Sequence, residues 1–350
     1  MSRRNSSILL LLFVILVVEI IIIAPKEVGV PPESAKTTLN PKVPAGSGEV
    51  IQGVQSVGAT AQGKEWELWA DKAHRAKPDQ DLSIERVKVK FYASSGVVYT
   101  VTGNAGKVFP TASGINDVTV TGNVITRSSN GHVFKTETMF YDSKKKKLSS
   151  PSHVEMTSPP DKNGGEMVLT GGNMFADLGT NEIEINKDVR AKKKIKDGKI
   201  AQINSNRAVF NGRNKMANFF GDVVLDLDTM RVTGPEAKFA YDPKMESLES
   251  VLVAGGVRVT DTDKFATSKT VSVNFKDDKV IFNGAPRVVQ NGDELMGDEI
   301  VLIDGGRKIQ VSNARAQLDP SSLEGKSITT GDFGGSSEEN PGASRAEKKN

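Results

Sequence analysis

Val87-Lys88-Val89-Lys90-Phe91 decides the fold. Apolar and charged residues alternate with a period of two, the spacing of a strand with one face buried and one in water. The pattern recurs in Trp66-Glu67-Leu68, Val118-Thr119-Val120, Ile183-Glu184-Ile185 and Val271-Ser272-Val273-Asn274-Phe275. Between 49 and 318 the only helix-compatible window is Trp66 to Arg75, too short to change the class. The body of the chain therefore reads as all-β.

Turn chemistry separates the alternating runs. Tyr141-Asp142-Ser143-Lys144, Ala176-Asp177-Leu178-Gly179, Asn211-Gly212-Arg213-Asn214, Tyr241-Asp242-Pro243-Lys244, Lys276-Asp277-Asp278-Lys279 and Asp304-Gly305-Gly306-Arg307 supply the backbone freedom or preset φ of tight turns. They recur about every 30 to 35 residues, and each unit also carries a glycine before a valine, as in Gly122-Asn123-Val124 and Gly221-Asp222-Val223. A period of this size means stacked hairpins, because one hairpin cannot bury its apolar face alone, and suggests a long twisted sandwich, an elongated jelly roll or a β-solenoid. Few aromatics (6%) and many small residues favour two sheets facing each other across an apolar channel.

The ends differ from the body. Arg3 and Arg4 precede an apolar run from Ile8 to Ala24, interrupted at Glu19. As a helix the run spans roughly 26 Å, just short of a bilayer core. A cleaved signal peptide needs small residues before the cut, and Ile22-Ile23-Ala24 before Pro25 does not supply them. The expectation is a retained anchor over residues 1–25, its N-terminus cytoplasmic by the positive-inside rule, with Ile8, Leu12, Leu16, Glu19 and Ile23 as its marker residues. Glu19 sits at the outer interface or against a polar group of a neighbouring helix. Residues 26–50 read as a Pro- and Gly-rich linker, and 320–350 as a polar disordered tail.

Composition narrows the chemistry. With no cysteine, disulfides, thiolate catalysis and cysteine-ligated zinc are excluded. A net charge of +3 from 46 basic and 43 acidic residues does not suit nucleic acid as the partner. His74, His132 and His153 fall in separate hairpins without metal-ligand spacing. No nucleophile elbow or nucleotide-binding loop occurs, and acids such as Asp261, Asp263, Asp277 and Asp278 lie at turns. The expectation is a protein that is not an enzyme and needs no cofactor or metal. Lys144 to Lys147 and Lys192 to Lys194 read as solvated hairpin tips, or as attractors of lipid phosphates.

The order of these segments resembles the OstA-like β-jelly-roll family of lipopolysaccharide export. Gly63-Lys64-Glu65-Trp66-Glu67-Leu68-Trp69-Ala70, Val120-Thr121-Gly122-Asn123-Val124 and Lys135-Thr136-Glu137-Thr138-Met139-Phe140-Tyr141-Asp142, behind an anchor, are similar to LptC-type proteins. Ala237-Lys238-Phe239-Ala240-Tyr241-Asp242-Pro243 and Gly292-Asp293-Glu294-Leu295-Met296-Gly297 are similar to the soluble LptA type. The resemblance implies an elongated open β-jelly roll, LptC-like over 51–199 and OstA/LptA-like over 200–319. It implies an inner-membrane protein, single-pass with its bulk in the periplasm, that takes lipopolysaccharide from an ABC exporter and passes it to an LptA-like bridge. Alternation then makes Trp66, Leu68, Val87, Val89, Phe91, Val118 and Val120 the lining of a lipid groove, with Glu65, Glu67, Lys88 and Lys90 outside. Ile300, Leu302, Ile309 and Val311 mark the edge where a partner would dock. The competing class is a carbohydrate-binding or carbohydrate-active β-repeat protein. Only two Trp and four Tyr are available as sugar platforms, and a tether suits a secreted enzyme poorly.

Overall fold

The computed structural model describes residues 49–61, 63–75, 81–109, 116–160, 165–194, 200–227, 229–242, 248–262, 264–303 and 308–317. The expected anchor and tail lie outside these, as does the linker except for Glu49 and Val50, which begin the first strand instead. The described residues form one antiparallel meander of 21 strands. Its first part is β1 (Glu49–Thr60), β2 (Gly63–Arg75), β3 (Leu82–Tyr92), β4 (Val98–Phe109), β5 (Asp117–Ser128) and β6 (Val133–Asp142), then β7 (Lys147–Thr157), β8 (Met167–Asp177) and β9 (Glu182–Lys194). β10 (Ile200–Ser205) and β11 (Arg207–Asn211) are two halves of one broken strand, both paired to β9. β12 (Met216–Leu227), β13 (Met230–Tyr241), β14 (Leu248–Asp261) and β15 (Lys264–Asn274) follow. The last strands are broken as well: β16 (Lys279–Asn283) with β17 (Arg287–Gln290), β18 (Asp293–Met296) with β19 (Glu299–Ile303), and β20 (Lys308–Ser312) with β21 (Arg315–Gln317). The window that also suited a helix, Trp66 to Arg75, is strand β2.

Each long strand bends in its middle. Ladder register slips between Thr102 and Ala105, Thr121 and Val124, Ser150 and His153, Phe220 and Val223, and Ala254 and Val257. Left-handed residues sit at these slips and at the one between Thr170 and Gly172, among them Asn123 (φ 50), Asn173 (φ 54), Asp188 (φ 49) and Asp222 (φ 47). Asn and Asp tolerate that region better than other side chains, so the repeated Gly-Asn/Asp-Val motif encodes a β-bulge rather than a hairpin turn. Beside the bulges the backbone comes close to its neighbour: a Cβ at Gly103 would lie 2.4 Å from Val120 Cγ1. Only glycine fits there.

The bends fold the ladder into two walls. Wall A holds Gly63–Ala70, Val87–Tyr92, Val98–Thr102 and Val124–Ser128. Wall B holds Leu82–Glu85, Ala105–Phe109, Asp117–Thr121 and Met139–Asp142. Apolar side chains of both walls form one core cluster from Val54 to Ile300. Phe91 of wall A meets Tyr141 of wall B with ring centroids 4.5 Å apart, so the walls face each other.

Single-parity alternation along a whole strand does not hold. In β3, Leu82 and Ile84 are buried, then Val87, Val89 and Phe91: the left-handed backbone at Arg86 (φ 51) turns the strand over between them, with no slip in its pairing to β2 or β4.

Candidate functional site

The seven groove candidates come together. Trp66, Leu68, Val87, Val89 and Phe91 lie on wall A, and Val118 and Val120 lie on wall B; each is 2% exposed or less. The Leu68–Val89–Val101 row and the Trp66–Phe91–Tyr99 row are direct cross-strand neighbours. Trp66 lies on Gly58 of β1, where a Cβ would come 2.2 Å from the indole Nε1. In the described structure these residues are packed core.

Lys88 and Lys90 face outward, with Nζ 5.8 and 5.6 Å from the centre of the Trp69 ring. Glu67 also points out. It accepts from Lys64 Nζ at 2.5 Å and from Tyr92 Oη at 2.7 Å, and these bonds hold its carboxyl below the usual range. The same contact, with some desolvation, pushes the Tyr92 hydroxyl up to about 12. Glu65 does not face water as alternation requires. It is 7% exposed, and its Oε1 lies 2.8 Å from Lys146 Nζ, which the β6–β7 tip brings across from wall B. A lone carboxylate at that depth needs such a partner. Burial first, and then the nearby carboxylates Glu65, Asp117 and Asp142, raise the Tyr141 hydroxyl far above its ordinary value.

Sequence reasoning missed a second cross-wall contact. Ser94, at the β3–β4 tip, donates from its backbone N to Leu178 O at 3.0 Å and from Oγ to Gly179 O at 2.7 Å. Nothing local in Ser94 signals a partner 85 positions away.

The interior changes along the ladder. Of the largest fully buried side chains, all but Ile300 lie between Trp66 and Ile185. Beyond β10 many inward apolar residues are only partly buried, including Leu225, Val259, Val280, Leu295 and Leu302. At the far end, Ile309 on β20 is 57% exposed although it pairs with inward Leu302, and Val311 pairs with Ile300, which is 1% exposed. Among the described residues, β20 pairs with β19 alone. The four docking candidates are thus inward residues of the last two strands of wall B.

The three histidines stay apart. His74 Nε2 lies 3.0 Å from Glu85 Oε1, and His132 Nδ1 lies 3.1 Å from Asn130 Oδ1. Among the described residues no group of three or more His, Cys, Asp or Glu could hold a metal ion.

Residues 8–194 match the family "Lipopolysaccharide-assembly, LptC-related", and residues 202–304 match "LptA/(LptD N-terminal domain) LPS transport protein". The boundary between the matches falls at the β9–β10 hairpin. Among solved structures, LptH of Pseudomonas aeruginosa, the LptA-homologous periplasmic component of a lipopolysaccharide transport device, is 16% identical. That comparison covers 34% of this chain and 95% of LptH with a TM-score of 0.32. The chain matches no curated protein. The first family match alone spans more than half of the sequence, and the chain belongs to the LptC-related family of lipopolysaccharide-assembly proteins, with an LptA-type segment joined directly to the LptC-type one.

Proposed function

We propose that the chain is a periplasmic lipid conduit, anchored in the inner membrane by Ile8–Ala24, that takes lipopolysaccharide from an ABC exporter and passes it to an LptA-like bridge. The observation that carries this reading is the single apolar cluster from Val54 to Ile300. It runs without a break through the β9–β10 hairpin, from the LptC-type segment into the LptA-type one. Acyl chains are held by burial, at about 0.8 kcal/mol per CH₂, so such a path needs no polar chemistry. The headgroup stays in water.

The partly buried positions Val259, Val280, Leu295 and Leu302 are where hydrocarbon meets the least resistance. The seven wall residues of the first part line the path only once their packing yields. Photocrosslinking in cells with an active exporter tests the conduit. Probes at inward Leu68, Val89, Val280 and Leu295 should capture lipopolysaccharide, whereas probes at outward Glu67, Lys88 and Lys90 should not. Equal labelling of the two faces would leave a structural tether as the better account.

A further inference from the structure

Among the described residues, two contacts tie opposite margins of the folded ladder, where ladder bonds tie strand to strand. One is Ser94 to Leu178 and Gly179; the other is Lys146 to Glu65. Leu178 N also donates to Lys146 O at 3.1 Å, so the β6–β7 and β8–β9 tips form one bar against wall A. Ala93 and Leu178, in the tips themselves, are 8% and 4% exposed. Behind this bar most inward apolar side chains of β2 to β9 are buried, with Val97, Met167 and Ile183 partly so. Beyond it, tip bonds such as Tyr241 N to Lys215 O and Phe275 N to Glu249 O run along a single margin, and inward side chains are partly exposed.

Hydrogen bonds at exposed tips and one part-exposed ion pair are weak beside an intact β-ladder. The margins are therefore the place where the cross-section opens without unpairing a strand. We propose that the bar is a latch. While shut, it keeps acyl chains out of the β2–β9 interior. Released, it lets them enter sideways between the margins, whereas the interior beyond β10 takes hydrocarbon with the latch shut. This rests on the conduit reading and assigns that path two compartments with different access.

The chain has no cysteine, so a Ser94→Cys, Gly179→Cys pair can lock the latch by oxidation. Glu65→Gln with Lys146→Met loosens it. A leucine-sized diazirine probe at Leu68 reads the latched compartment, and the same probe at Leu295 reads the other. Both are measured on the full chain in membranes with purified lipopolysaccharide. Oxidation of the pair should lower Leu68 labelling several-fold, reductant should restore it, and Leu295 labelling should not change. The loosened variant should raise Leu68 labelling several-fold. Unchanged Leu68 labelling, with the disulfide confirmed by gel mobility, overturns the latch. So does unchanged labelling in a loosened variant whose thermal unfolding shows it folded. If one variant does not fold or oxidise, the other decides. No labelling at Leu68 or Leu295 in the unsubstituted chain overturns the conduit itself, an outcome distinct from a failed latch.

Discussion

Glu65 and Glu67 are two residues apart with the same expected direction, yet one is buried and the other is not. Alternation placed Glu67 correctly because its neighbours Lys64 and Tyr92 are close in the ladder. It misplaced Glu65 because the group that covers it comes from a hairpin about 80 residues later. The inward residues were readable for the opposite reason, since a lysine on each side of Val89 leaves the valine one place to go. Leu68→Ala should cost about 2–5 kcal/mol by denaturant melt, as a fully buried leucine leaves a cavity. Glu67 also gives a pH test. Its carboxyl titrates lower in the folded chain than in the unfolded one, so it stabilises the fold above the unfolded value of about 4.3. That contribution is lost as pH falls through the depressed folded value. The Tm difference between the unsubstituted chain and Glu67→Gln should thus be largest near neutrality and shrink in acid. Tyr92→Phe should show the other sign on the alkaline side. Its raised hydroxyl stabilises fully below about 10 and loses that effect as pH climbs toward about 12.

At the level of the strand, the repeat was visible before its meaning was. Gly122-Asn123-Val124 reads equally well as a turn or a bulge, and only the ladder shows that it bends β5 from one wall to the other. Some bends carry no signal of their own: Arg86 has φ 51 in a stretch that otherwise reads as plain strand. Burial parity in β3 changes there, from Ile84 to Val87. Because the left-handed conformation crowds a Cβ, and a branched one most, Asn123→Val should destabilise by about 1–2 kcal/mol while Asn123→Gly should be close to neutral. Thermal denaturation of the two variants separates bend chemistry from the loss of an exposed amide. Equal destabilisation would point to the amide.

For the molecule as a whole, family type and all-β architecture were both within reach of one sequence, since motif order and hairpin spacing survive where individual motifs are weak. The course of the interior was not, because cross-wall contacts such as Ser94 with Gly179 depend on how far the ladder folds over. Two predictions belong here. If Ile8–Ala24 anchors the protein, mass analysis of membrane-extracted chain should find the N-terminal residues still attached; a mature end near Pro25 counts against the anchor. If β20 is the docking edge, Ile309→Asp should cut capture of an LptA-like partner several-fold without lowering the melting temperature, because Ile309 is already 57% exposed. Unchanged capture would move the docking site elsewhere.

The β9–β10 hairpin has one more consequence. Two separate proteins joined edge to edge obey mass action, and their junction empties when either becomes scarce. Here Lys194 pairs with Ile200 and Val189 with Ser205 inside one polypeptide. The local concentration of one segment at the other is then fixed by a short connection, typically millimolar or above, whatever the expression level. The joint between the LptC-type and LptA-type segments cannot be diluted apart, and its stoichiometry is set at one to one by translation.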